Sequence, residues 1–129
     1  MAGLGQVRRG DASGQATVEA ALVLPFVVLL LLAVVQVGLV VRAQVLVTHA
    51  AREAARAAAV ELDPQAPVVA AHLATNLDPG RMSVTSEGRA GRGSYVTVHV
   101  SYAESTDVPL VGALLGDVDL TAEATMRVE

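Results

Sequence analysis

The feature that most constrains this chain is residues 20–41, a run of 22 residues without a charge, interrupted only by Pro25, Gln36 and Gly38. As a helix it reaches about 33 Å, enough to cross the hydrocarbon core of a bilayer. The run holds 7 Leu, 8 Val and one Phe. Each favours insertion by about 0.3–0.6 kcal/mol, and together by roughly 5–9 kcal/mol, which outweighs one Gln and one Pro. Residues 20–41 therefore read as a transmembrane segment. Glu19 puts a carboxylate at its edge, five residues after Gly14.

The run is longer than the apolar core of a secretory signal peptide, which spans about 7–15 residues. Val41-Arg42-Ala43 also sets an arginine where such a peptide needs small residues. Before the span, residues 1–13 are short, polar and glycine-containing, with Arg8 and Arg9 against Asp11. They read as a disordered leader. Arg8 and Arg9 favour a cytoplasmic amino end, but Arg42, Arg52 and Arg56 follow the span closely, so charge alone leaves the orientation open.

The helical pattern continues past the span. Gln44, Thr48, Arg52 and Arg56 form a polar row at i, i+4, with His49 and Glu53 beside it and Leu46, Ala50, Ala54, Ala57 and Ala58 on the other face. Glu53 and Arg56 are spaced to pair at i, i+3 for about 0.2–0.5 kcal/mol. One helix over residues 17–62 is expected, half in lipid and half in water, ended by Asp63-Pro64 because proline disfavours helical geometry in the residue before it. A second helix is expected over 66–76, with Val69, Leu73 and Leu77 as its apolar stripe and Asp78-Pro79-Gly80 as its stop.

From Met82 the period changes to two. Met82 and Val84 start a short strand that ends near Glu87, and residues 88–93 form a glycine-rich hairpin loop. Val96, Val98, Val100 and Tyr102 share one face of the next strand, opposite Thr97, His99 and Ser101. In the last strand Val118, Leu120, Ala122, Ala124, Met126 and Val128 oppose Asp119, Thr121, Glu123, Thr125, Arg127 and Glu129. The expected fold class is α+β: a long amino-terminal helix, a short second helix and a small three-stranded antiparallel sheet, whose apolar face needs helical cover. The expected division is a leader over 1–14, the long helix over 15–62 and an outer domain over 63–129. Between the last two strands, residues 108–116 form an apolar segment too short to span a membrane. Two readings stay open for it, a core-packed turn or an exposed contact for lipid or a partner subunit.

Little here suggests chemistry. The chain has 129 residues, no cysteine and a net charge of −4, so it offers no thiolate ligand or nucleophile and no basic surface for nucleic acid. His49, His72 and His99 fall on different expected elements, and His49 with Glu53 lacks the second histidine of a zinc-protease helix. The glycines of 88–93 join two strands and lack a phosphate-loop lysine. Asp117 and Asp119 lie where solvation is the default, and no Gly-x-Ser-x-Gly occurs. We read no catalytic residue, no cofactor and no metal site, and expect a protein that is not an enzyme.

Gly14-Gln15-Ala16-Thr17-Val18-Glu19 before a long apolar helix resembles the processing site of type IV pilins and their relatives. The resemblance implies a cut by a prepilin peptidase between Gly14 and Gln15, which leaves Glu19 fifth in the mature chain. The cut creates an ammonium at Gln15 beside an apolar helix, and the family's proposal is that this glutamate pairs with the amino terminus of a neighbouring subunit. In a packed helix bundle either charge alone costs several kcal/mol. A simpler account is a carboxylate near a helix start, favoured by the dipole for roughly 0.3–1 kcal/mol.

A closer resemblance extends further. The stretch from Gly14 to Pro25, the block Ala50-Ala51-Arg52-Glu53-Ala54-Ala55-Arg56 and the ending Ala122-Glu123-Ala124-Thr125-Met126-Arg127-Val128-Glu129 are similar to TadE-like proteins, pseudopilins of the tight-adherence (Tad, or Flp) pilus system. Ala20 stands where Flp-type pilins commonly carry an aromatic. The resemblance implies a minor pseudopilin acting in pilus assembly, anchored in the inner membrane with its amino end cytoplasmic and its carboxyl domain outside. The implied partners are membrane lipid, pilins and a second pseudopilin, an inner-membrane platform protein and the prepilin peptidase. Pro25 removes a backbone donor and can bend the span, and Ala16 and Ala20, four apart, let a neighbouring helix come close. The competing reading is a single-pass, membrane-anchored envelope domain for binding or sensing, with no filament.

Overall fold

The computed structural model describes residues 9–129. Residues 1–8, most of the expected leader, lie outside the described residues. The elements follow as helix α1 (Arg9–Val60), helix α2 (Ala66–Ala74), a 3-10 turn (Pro79–Arg81), strands β1 (Met82–Glu87) and β2 (Tyr95–Glu104), a short helix α3 (Val111–Leu115) and strand β3 (Val118–Arg127). The α+β class and the three-stranded antiparallel sheet are as expected, with strand order β1-β2-β3.

The 52 residues of α1 give a rod about 78 Å long. It begins at Arg9, ahead of the expected start at Thr17, so residues 9–13 are helical where composition suggested no fold. The Thr17 hydroxyl returns a 2.8 Å hydrogen bond to the Ser13 carbonyl one turn back. At the other end the last carbonyls find outside donors: the Arg89 guanidinium donates to Glu61 O, and the Glu129 amide to Ala59 O at 3.3 Å. Such groups are orphaned at any helix end and need partners from elsewhere.

The core forms where α1 leaves the uncharged run. Ala43, Val47, Ala50, Ala51, Ala54, Ala55, Ala58 and Ala59 are buried. This arc is wider than the single stripe expected, and is centred away from Leu46 and Ala57, which are only half-buried. The reason is that α1 is covered from two sides, by β2 and β3 and by α2. Alanine lets both layers come close without losing helix propensity. The expected pairing of Glu53 with Arg56 is absent: among the described residues no ion pair joins them, Glu53 being half-buried and Arg56 exposed.

Helix α2 corrects a second expectation. Its buried residues are Ala66, Pro67 and Ala71, while Val69 and Leu73 face outward. Small residues win the inner face because α2 packs on the alanines of α1, where Val or Leu would hold the two helices apart. Leu77 alone of the proposed stripe packs against the core.

The sheet follows its alternation residue by residue. Val96, Val98, Val100 and Tyr102 are buried, and Met82 pairs with Tyr102, which pairs with Leu120, while Val84 pairs with Val100, which pairs with Ala122. On the outer face Thr97 and Thr125 share a 2.8 Å hydrogen bond, and His99 Nδ1 lies 3.4 Å from Glu123 Oε2. Cross-strand pairs of this kind stabilise a solvated sheet face by roughly 0.2–1 kcal/mol each.

Candidate functional site

Gly14, Gln15, Ala16, Glu19, Ala20 and Pro25 all fall on the exposed half of α1. From residue 12 to residue 31 no side chain is buried. Val18, Leu22, Leu24, Phe26, Leu30 and Leu31 each stand more than half exposed, so apolar surface points in every direction around the helix. A helix apolar all round requires an apolar environment on all sides. The segment is long and apolar enough to cross a membrane, and its most apolar 18-residue window has a mean hydropathy of 2.8.

Helical geometry brings these residues into specific relation. Gly14 lies in continuous helix, and a Cβ built on it meets nothing within 4 Å. Neither packing nor an unusual backbone angle therefore requires glycine there, although glycine costs a helix interior about 0.8–1.0 kcal/mol relative to alanine. Its carbonyl is the normal acceptor of the Val18 amide, four residues on. Ala16 and Ala20 sit one above the other with Glu19 beside them. Pro25 is inside the helix without ending it; having no N–H, it leaves the Ala21 carbonyl without its intrahelical donor. Glu19 comes ten residues after Arg9, beyond the first turn where the dipole acts, so the dipole account does not apply to the helix as it stands.

One functional-looking residue was not singled out as a site in the sequence. Gln36 is only 3% exposed although it lies within the uncharged run, and neither amide atom has a hydrogen-bond partner among the described residues. Leu32, Ala33 and Val40 on the same face are half-buried. The outer domain thus reaches several residues into the run. The only advance signal was a lone amide at a helical spacing from Ala43 and Val47. Gln36→Met keeps the shape and removes the amide, and an unsatisfied buried amide costs about 1–3 kcal/mol. The expected result is a higher unfolding temperature for the full chain in detergent, followed by circular dichroism; a lower one would show that the amide is satisfied.

His49, His72 and His99 lie on α1, α2 and β2, and among the described residues no group of three or more potential ligands could hold a metal ion. One concavity on the outer sheet face is lined by Ser83, Thr85, His99, Ser101, Thr121 and Glu123, which offers hydroxyls and a histidine–carboxylate contact but no hydroxyl hydrogen-bonded to the histidine as a base.

The comparison with protein families bears on the exposed half of α1. Residues 14–56 match the TadE-like protein family. The matched segment is a third of the 129-residue chain. It opens on Gly14, runs through the apolar half of α1 and closes on Arg56 inside the alanine-lined core. Two of the three similar blocks in the sequence, Gly14 to Pro25 and Ala50 to Arg56, lie inside the matched segment, and the third, Ala122 to Glu129, forms the later part of β3 and the residues after it, outside the match. No curated protein and no solved structure matches the chain.

Proposed function

We propose that this chain is a minor pseudopilin that acts in assembly of a Tad-type pilus, with α1 as both its membrane anchor and its assembly element. The observation that carries the reading is the coincidence of the TadE-like match with a helix whose apolar surface is open on every side over residues 12–31. A single-pass anchor needs an apolar surface; the glycine at 14 and the carboxylate at 19 are extra. In the proposed mechanism a prepilin peptidase cuts between Gly14 and Gln15, and Glu19 then neutralises the new amino terminus of a neighbouring subunit. The partners in this reading are lipid, pilins, a second pseudopilin and the platform protein of the inner membrane. The amino end is cytoplasmic and the domain from residue 63 extracytoplasmic.

Helix propensity supports processing at Gly14. Two glycines, Gly10 and Gly14, weaken the first turns of α1, each by about 0.8–1.0 kcal/mol relative to alanine. The peptidase can therefore unwind this end at little cost and reach the Gly14 carbonyl. Co-expression with a prepilin peptidase is expected to yield a chain that begins at Gln15, read by amino-terminal sequencing. A chain that still begins at Met1 under those conditions removes the processing step and leaves a membrane-anchored domain without filament assembly as the better reading.

A further inference from the structure

We propose that the loop carrying α3 dips into the acyl-chain boundary of the leaflet from which α1 emerges, so that the protein holds the membrane at two places rather than one. The inference rests on the membrane reading of α1.

It begins with a mismatch of levels along α1. The uncharged run ends at Val41, and the first charge is Arg42. A hydrocarbon core takes about 20 helical residues, so nearly all of the run is needed to span it. Yet the outer domain already covers Gln36 and part-covers Leu32, Ala33 and Val40. Some part of that domain therefore lies beside the last two or three turns of the span.

The sheet register shows which part. The Gln44 side-chain Nε2 donates to Thr121 O at 3.0 Å, which sets Gln44 near the level of the fourth residue of β3. At the opposite end the Glu129 amide meets Ala59 O, so β3 runs away from the span. The segment before β3 and after β2, residues 105–117, is thus the span-side end of the domain, and α3 touches α1. The 3-10 turn Pro79–Arg81 lies at the level of Ala103, to whose carbonyl the Arg81 guanidinium donates, and reaches less far.

What this end presents is apolar. Between Asp107 and Asp117 no residue is charged. Val108 and Val111 turn inward, while Leu110, Leu114 and Leu115 are 62%, 83% and 64% exposed. The loop is held in this shape. The Val111 amide donates to Pro109 O at 2.8 Å, closing a γ-turn that gives Leu110 a φ of 67°. Gly112 and Gly116 close back on Val108 and Gly112, and the Thr106 hydroxyl donates to Gly116 O. A Cβ on Gly112 would stand 1.9 Å from Thr106 O, so only glycine permits this approach. Three leucines are fixed outward beside a lipid-spanning helix, and lipid is the surrounding that their level along α1 supplies. The same placement shields the Gln36 amide from acyl chains.

The chain has no tryptophan, so one introduced indole reports alone. The test uses the full chain in phosphatidylcholine vesicles, with three single-tryptophan variants: Phe26→Trp in the span, Leu114→Trp on α3 and Tyr95→Trp at the far end of the sheet. Leu115→Trp repeats the α3 position should Leu114→Trp fail to fold. The expected result is blue-shifted emission at the α3 position. Lipids brominated near the headgroup end of the chains should quench it several-fold more than Tyr95→Trp. Emission matching Tyr95→Trp and equally open to acrylamide, with Phe26→Trp still quenched by lipid, overturns the second contact and spares the anchor. Unquenched Phe26→Trp overturns both. Shielding at α3 that depends on the protein-to-lipid ratio and not on bromine assigns the surface to a second copy and overturns the proposal.

Discussion

Ala54→Leu is expected to destabilise the outer domain by about 1–3 kcal/mol, the usual cost of adding methylenes to a filled core. Ala54 is fully buried on the arc of α1 that meets the sheet on one side and α2 on the other. Moving α1 from one layer drives it into the other, so the added carbons have nowhere to go. The largest fully buried side chains, Val47, Val96, Val98 and Val100, are β-branched and stiff at χ1, so they yield poorly. Thermal unfolding of the full chain in detergent checks the expectation, since about 1 kcal/mol moves the midpoint of a domain this size by roughly 4–8 °C. Val60→Leu, at an exposed position of the same helix, is the control and should stay within about 0.5 kcal/mol of the parent. An unchanged midpoint for Ala54→Leu would mean that the alanines are a matter of helix propensity and not of close approach.

That result bears on why the sequence was legible in some places and not in others. The sheet was legible because period-two alternation admits only one face inward: Val96, Val98, Val100 and Tyr102 could not be slipped by one residue without exposing all four. The long apolar helix was legible because 22 uncharged residues are enough to cross a bilayer as a helix. The second half of α1 was read as helix correctly but its buried arc was misplaced, because alanine carries little hydrophobic contrast and seven of the ten residues from 50 to 59 are alanine. For α2 the pattern pointed the wrong way: Val69 and Leu73 have the stronger apolar signal, but the inner face is selected by closeness to α1 and not by hydrophobicity. Residues 108–116 satisfied both open readings at once, Val108 and Val111 packing inward while three leucines turn out. The burial of Gln36 was not legible at all, since it depends on how far residues 105–117 reach along α1, a tertiary distance with no local trace.

The candidate site divides in the same way. Gly14 and Glu19 were found by motif, and the structure adds that Gly14 has no packing or backbone reason to be glycine. The proposed mechanism also makes a demand on order: Glu19 has a charge to neutralise only after a cut has created one on the neighbouring subunit.

Glu19→Ala is accordingly expected to lower incorporation into pili by more than tenfold while leaving membrane insertion unchanged. Insertion is spared because the apolar run lies wholly after residue 19, and alanine is easier to place at its edge than a carboxylate. Assembly is not spared, because in the proposed mechanism the neighbouring subunit's amino-terminal ammonium, packed among apolar helices without its counter-charge, costs several kcal/mol, and each 1.4 kcal/mol is about tenfold in an equilibrium constant. The readout is the share of the chain that co-purifies with sheared pili against the share in the membrane fraction, in cells with an otherwise complete Tad system. Normal incorporation would remove Glu19 from assembly, and loss from the membrane fraction would make it a topology residue instead. A coupled variant separates pairing from a general need for acid at this edge. Gly14→Leu blocks the cut without a clash in the helix, since nothing lies within 4 Å of the position. If Glu19 acts on a neighbouring subunit's amino terminus, which Gly14→Leu in this chain leaves intact, Glu19→Ala should lower further whatever incorporation the Gly14→Leu chain retains; no further loss would tie Glu19 to this chain's own amino terminus instead.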